Sequence, residues 1–413
     1  MKKIFLYLFS IFILISCEDE YKSSYSYEYS TMVNYPVYYD ASDILVDIQV
    51  TPPVTPVSPY KIAFNDKYLF VGEMMKGIHV YEKTGEHSVS PLCFIECKLS
   101  KAFDVIDNLL FCNNFTDMLV INISNPLQAT ISHRQKNHFN NYNNYLTDMN
   151  IPYDETYGYI IDHKPFKAII TSTGEIADPK FSEADSMHIK KMPNSLVSGN
   201  PIKSKPYVGI AKYEKEIYTF GRYNSWAVCT YNSGFNITEY GFNGGLRPIF
   251  PTPNGYYNNA FLSKLFYKDG FMCVIGSNYI DCGKNDSILS QYHFYFSDSS
   301  QIDVTVNTQG FFFILTKNHI RKTIYDDEYY EHSTEYAIIP GAVAITCSSD
   351  KIITLGDKLI VYNEADSKLS IIKEYPEISG TCMLQEDKIL TIANTQGVFF
   401  YDISNVNDIK LIQ

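Results

Sequence analysis

The sequence predicts an all-β fold closed into a ring of repeated four-stranded sheets, and three observations carry that expectation. Aromatic residues make up 15% of the 413-residue chain, with 35 Tyr and 26 Phe, and both types favour extended strands. Short alternating strands recur along the chain, separated by turns rich in Asp, Asn and Gly. The third observation is a repeated phrase: "DMLVINISNP" at 117–126 returns as "GVFFYDISNV" at 397–406, 280 positions later. That separation is six steps of about 46 residues, a length suited to one four-stranded blade.

Taken in order, the chain opens with Lys2 and Lys3 and then the thirteen-residue apolar run "IFLYLFSIFILIS". Such a run is too short to cross a bilayer as a helix, which takes roughly 20 residues. A basic end, a short apolar core and small Ser16 before the cut describe a secretory signal over residues 1–16. Leu14, Ile15, Ser16 and Cys17 resemble the bacterial lipoprotein box. This implies that Cys17 becomes the lipidated first residue and that the lipid, not a spanning helix, is the membrane anchor. The "EDE" that follows is similar to acidic signals that some Gram-negative lipoproteins use to reach the cell surface. The expected address is therefore the envelope, at the outer membrane and exposed on the surface. Residues 17–40 are rich in Ser, Tyr and Glu without a sustained apolar period, which suits a flexible tether behind the lipidated Cys17.

The remaining chain, 41–413, is long for a simple core, but closed all-β folds routinely reach this size as one domain. Its hairpins align on their turns. "IAFNDKYLFVGEMMKGIHVYE" at 62–82 and "FDVIDNLLFCNNFTDMLVIN" at 103–122 both run strand, Asp turn, strand, short loop, strand. The same order appears in "GIAKYEKEIYTFGRYNSWAVCTY", "KLFYKDGFMCVIGSNYI", "DVTVNTQGFFFILTKNHIRKTIY", "AITCSSDKIITLGDKLIVYN" and "MLQEDKILTIANTQGVFFYD", with a poorer copy in "MNIPYDETYGYIIDHKPFKAIIT". The expectation is a β-propeller of eight four-stranded blades, one for each of these eight units. Seven is the alternative, because two weak hairpins between 140 and 260 can belong to one blade. Packing each small twisted sheet against the next buries both of its faces and leaves only short protected edges. The last sheet can be finished by "DIKLIQ" at the C-terminus, or "ILVDIQV" at 44–50 can supply a closing strand from the other end.

The repeated phrase resembles the LVIVD repeat of bacterial exported propeller proteins, whose pattern reads roughly Gly-Leu-Val-Ile-Val-Asp-Ile-Ser-Asn-Pro. The copy at 117–126 keeps Leu119, Val120, Ile121, Ile123, Ser124, Asn125 and Pro126, but has Asp117 for the glycine and Asn122 for the aspartate. The last copy keeps Gly397, Val398, Asp402, Ile403, Ser404 and Asn405, and ends in Val406. Partial copies lie at 76–82 and 357–363, so the resemblance covers the chain unevenly. It implies a β-propeller in the envelope. The residues themselves point to scaffold: Asn122 or Asp402 after an apolar strand can bond its own backbone two residues on, and Ser-Asn-Pro then turns the chain into the outer strand.

Charge narrows the partners. A net charge of −12 and a pI near 5.2 argue against nucleic acid or an anionic membrane face, since both attract basic surfaces. After Cys17, eight cysteines remain at 93, 97, 112, 229, 273, 282, 347 and 382, mostly single within apolar runs. They read as small buried hydrophobes, with Cys93 and Cys112 as a pair that could meet across neighbouring strands. No spacing of Cys and His fits zinc, and no cofactor is implied.

Chemistry is expected at the centre of the ring and on its loops. Asp104, Asp148 and Asp303 each stand at the start of an expected innermost strand. Together they could form a cation site or an acid and base pair in the channel, or each could accept backbone N–H bonds at its strand entrance. The insertion 240–261 gathers Arg247, Tyr256 and Tyr257, residue types suited to a ligand-binding loop. The insertion 177–207 can place Asp185 and His188 one helical turn apart, "YDDEYYEH" at 325–332 reads as a charged hairpin tip, and the Asn-rich 137–145 as a connector. No nucleophile elbow, zinc-protease, P-loop or calcium-loop motif is found, and no catalytic residue is assigned. The favoured reading is a non-enzymatic, lipid-anchored propeller that binds an extracellular protein or glycan. The competing one is an exported propeller hydrolase or lyase acting on polysaccharide through the channel carboxylates.

Overall fold

Asp107, Asp350 and Asp387 stand in two-residue hairpin turns with φ of 49°, 64° and 46°. Asp tolerates this left-handed region better than most residues. The Asp turns of the repeat are thus set by local backbone sterics. The computed structural model describes residues 28–115, 117–136, 138, 139, 153, 154, 158–172, 176, 177 and 182, eight strands between 209 and 295, and 301–412 apart from 308, 326–330, 349, 366 and 367.

The chain divides into two compact units. One comprises Met1–Tyr39 and Asn150–Ser204. In it the 12-residue strand Glu28–Tyr39 pairs antiparallel with the 14-residue strand Gly158–Thr171, which also pairs with Tyr153–Asp154. Two expectations are corrected here. Residues 28–39, assigned to the tether, form a strand: Tyr, Thr and Val suit a pleated surface, and the partner that orders them lies too far along the chain for any local pattern to reveal. The poorest repeat copy, 149–171, supplies the other two strands of that sheet, which has three strands among the described residues where four were expected.

The second unit, Asp40–Met149 with Lys205–Gln413, holds seven antiparallel sheets among the described residues, against the eight repeat units read from the sequence. Their inner strands, in chain order, are Pro59–Phe64, Phe103–Ile106, Gly209–Tyr213, Lys264–Lys268, Gln301–Val306, Ala344–Ser348 and Cys382–Glu386. Each sheet runs outward strand by strand in sequence order. Successive sheets touch at their inner strands or the strand beside them, and the last touches the first. Both proposed closing strands exist, and neither crosses the seam: Lys410–Leu411 completes the seventh sheet, while Gln49–Thr51 adds a fifth strand outside Ser88–Glu96 in the first. Closure is by side-by-side packing, with the Thr381 hydroxyl donating to Pro59 O at 2.6 Å.

The core lies between sheets. Phe70, Ile78 and Val80 of the first sheet pack with Phe103, Val105 and Leu110 of the second. Leu69, Val71 and Tyr81 of the same first-sheet strands pack with Ala393 and Phe400 of the seventh. Alternate residues of one strand therefore serve opposite neighbours, which is why these strands read as continuous apolar runs. Burial of each large side chain contributes about 1.5–3 kcal/mol.

The repeated phrase makes the same backbone turns in both copies. Asn122 Oδ1 accepts the Ser124 N–H at 2.9 Å and Asp402 Oδ1 accepts the Ser404 N–H at 2.8 Å. The buried Ile123 and Ile403 each donate their N–H, at 2.8 Å, to the inner hairpin turn, at Asn108 O and Lys388 O. Asn125 and Asn405 then accept the N–H of Leu127 and Asn407 and turn the chain outward. The glycine that opens the phrase has a positive φ, +149° at Gly77 and +140° at Gly397. Where Asp117 replaces it, the buried carboxylate accepts from Arg134 Nη1 at 3.0 Å.

Candidate functional site

The innermost strands place the two described candidate carboxylates in matching roles. Asp104, on the second sheet, accepts the backbone N–H of Lys212 on the third at 3.0 Å, and the N–H of Val105 at 2.9 Å. Asp303, on the fifth sheet, accepts the backbone N–H of Ile345 on the sixth at 3.0 Å. Each carboxylate thus fastens its own inner strand to that of the following sheet. Lys61 of the first sheet joins this girdle, donating to Asp104 Oδ2 at 2.7 Å and to Ile210 O of the third at 3.0 Å. Thr346 continues it by donating to Gln385 Oε1 at 2.8 Å, and Thr381 closes it onto Pro59. The bonding expected of Asp104 and Asp303 to backbone N–H groups is present, but it reaches across sheets and not merely along the strand entrance. Asp148, Arg247, Tyr256, Tyr257 and Cys17 lie outside the described residues, as do Asp185, His188 and residues 326–330 of the charged tip.

Among the cysteines, the expected meeting of Cys93 with Cys112 is replaced by another. Cys97 Sγ lies 3.7 Å from Cys112 Sγ, while the Cys93 thiol donates to Pro126 O. Burial pushes the Cys93 thiol up to about 11.

A cleft that the sequence did not signal opens at the seam, between the seventh sheet and the first. Its volume is about 640 Å³. Three hairpin ends build it: the inner turn of the first sheet around Phe64 and Leu69, the outer turn at 83–89, and the inner turn of the seventh sheet at 386–389. All three turns fall at the same end of the sheets. Phe64 and Phe400 supply aromatic walls, with the Lys83 ammonium 4.6 Å above the Phe64 ring and the His87 ring 6.4 Å from that of Phe400. Lys83 and Lys388 face Glu86, Glu386 and Asp387, so the lining nearly balances in charge. Burial raises the Glu386 carboxyl above its ordinary range, Asp387 adds to the rise, and Lys83 opposes it. Such a site offers apolar faces beside both donors and acceptors, the make-up of a pocket for a neutral polar ligand. Its two sides are about 300 residues apart in sequence, so only ring closure brings them together.

No family model matches the chain, and no curated protein matches it by sequence. Comparison of folds does find likenesses. A chain in the crystal structure of the mitotic checkpoint complex aligns with a TM-score of 0.50 at 8% identity, over 86% of this chain and 90% of that one. The WD40 domain of Neurospora crassa Pan2 aligns with a TM-score of 0.43 at 9% identity, over 90% and 98%. A streptogramin B lyase aligns at 0.45 and 12%, over 88% and 98%. The first of these likenesses, taken with the seven sheets of the second unit, decides the fold. The chain is a β-propeller.

Proposed function

We propose that this propeller is a non-enzymatic binding scaffold, held in the outer membrane through a lipid on Cys17, that presents its seam cleft to an extracellular glycan. The observation that carries this reading is the cleft itself. Phe64, Val89 and Ile389 give the cleft an apolar wall suited to the apolar face of a sugar ring, and the balanced Lys, Glu and Asp lining suits a neutral, hydroxyl-rich ligand better than a strongly charged one. A protein partner is the second candidate for the same surface. The competing hydrolase or lyase reading needs Asp104, Asp148 and Asp303 to converge, and two of the three are committed to holding neighbouring sheets.

A thermal melt of the lipid-free chain from residue 18 onward tests the reading. That form keeps strand Glu28–Tyr39, which belongs to a folded unit. Neutral cello-, xylo-, malto- and manno-oligosaccharides are the probes. A ligand of the folded state at 100 times its dissociation constant adds about 2.7 kcal/mol of stability, so a rise of several degrees is expected with at least one of them, without product formation. No rise with any sugar removes the glycan reading, and sugar cleavage removes the non-enzymatic one. The anchor is tested separately: labelled fatty acid should enter the wild-type protein and not Cys17→Ser.

A further inference from the structure

We propose that Cys97 and Cys112 join in a disulfide that ties the first sheet of the propeller to the second. Cys97 follows the outer strand Ser88–Glu96, and Cys112 stands mid-strand in Leu109–Asn114 of the next sheet. Their sulfurs face one another at 3.7 Å in the core between the two sheets, both buried. A disulfide bond is about 2.05 Å, so the sulfurs need to approach by only about 1.7 Å. The backbone holds them there. Cys97 donates its N–H to Lys76 O at 2.9 Å, and Cys112 is paired in the ladder between Phe103 and Leu119. Cys93, although nearer to Cys97 in sequence, is turned to Pro126 O.

The bond would form by thiol–disulfide exchange with an oxidising disulfide, either a small molecule or a protein. One cysteine thiolate attacks that disulfide and expels the first thiol, leaving a mixed disulfide. The second cysteine then attacks the protein-side sulfur and expels the second thiol. The two protons and two electrons lost by the cysteines end on the oxidant, which becomes two thiols. Because both sulfurs are shielded once the sheets dock, the exchange belongs to folding and not to the finished ring. Whether the cell supplies the oxidant rests on the envelope reading.

Two samples separate the questions. Reduced chain is unfolded and refolded in a glutathione redox buffer, and a second sample is taken from cells with thiols blocked at lysis. Cleavage after Glu96 and mass spectrometry distinguish Cys93 from Cys97. The refolded sample should contain a 97–112 link with Cys93 free, and reductant should lower its melting temperature by several degrees but leave that of Cys97→Ser unchanged. Refolded protein with Cys97 and Cys112 both free, or with Cys93 linked to either, overturns the proposal. A link on refolding without one in cells supports the geometry and counts against the envelope reading.

Discussion

Single polar side chains do much of the fastening in this ring. Asn113 is fully buried and makes four hydrogen bonds: its Oδ1 accepts from the N–H of Lys101 and Ala102, and its amide donates to Leu99 O and Phe115 O. Leu99 and Phe115 both have positive φ, 59° and 56°, which bulky residues rarely adopt. Asn113 is therefore what holds two strained carbonyls in place. Asn113→Leu should cost about 3 kcal/mol or more in a urea melt, because several backbone groups lose buried partners at once. Asp104→Ala and Asp303→Ala should each cost about 1–3 kcal/mol by the same measurement. Urea midpoints unchanged from wild type would mean the inter-sheet bonds do not support the ring. The position of these aspartates at the inner strands was legible in the sequence, since the hairpin repeat aligns them. Their partners were not, because Lys212 and Ile345 lie on other sheets and a backbone N–H leaves no mark in sequence.

At the scale of elements, local grammar was read well and long-range pairing was not. The phrase at 117–126 and 397–406 foretold its own Asn and Asp turns, since the bonding partner is two residues away. The strand Glu28–Tyr39 looked like a tether because the residues that order it come after 157. The opening glycine of the phrase makes a sharp prediction. A Cβ on Gly77 would fall 2.1 Å from Ile95 O, at a φ of +149°, so Gly77→Ala should destabilise the first sheet by several kcal/mol. The segment that ends the second sheet carries a pH dependence. Phe139 packs between the second and third sheets, and beside it His138 Nε2 lies 2.7 Å from Thr219 Oγ1. Burial pushes the His138 imidazole down to about 4, and its Nδ1 is buried without a partner among the described residues. The unfolded chain takes up this proton near pH 6.5 and the folded one only near 4. Stability is thus full above pH 6.5 and falls on acidification toward pH 4, by up to about 3 kcal/mol. His138→Gln should flatten that part of the stability profile, and an unchanged slope would show that His138 does not carry it.

The ring of the second unit is a product of closure. Thr381 meets Pro59 where the two inner strands begin, and the cleft at the other end of those strands joins turns whose residues are unrelated in sequence. Composition and period were enough to foresee sheets arranged in a ring. They could not foresee the seam cleft, because nothing in "NDKYL" or "QEDKIL" marks a site until the two hairpins stand side by side. On the proposed function, this cleft is where the propeller binds. Calorimetric titration of the neutral oligosaccharides into the lipid-free chain, and into its Phe64→Ala and Glu386→Gln variants, tests it most directly. Saturable heat is expected with wild type for at least one sugar, and binding at least tenfold weaker in both variants. Wild-type protein that binds none of them, or variants that bind as tightly as wild type, would contradict it.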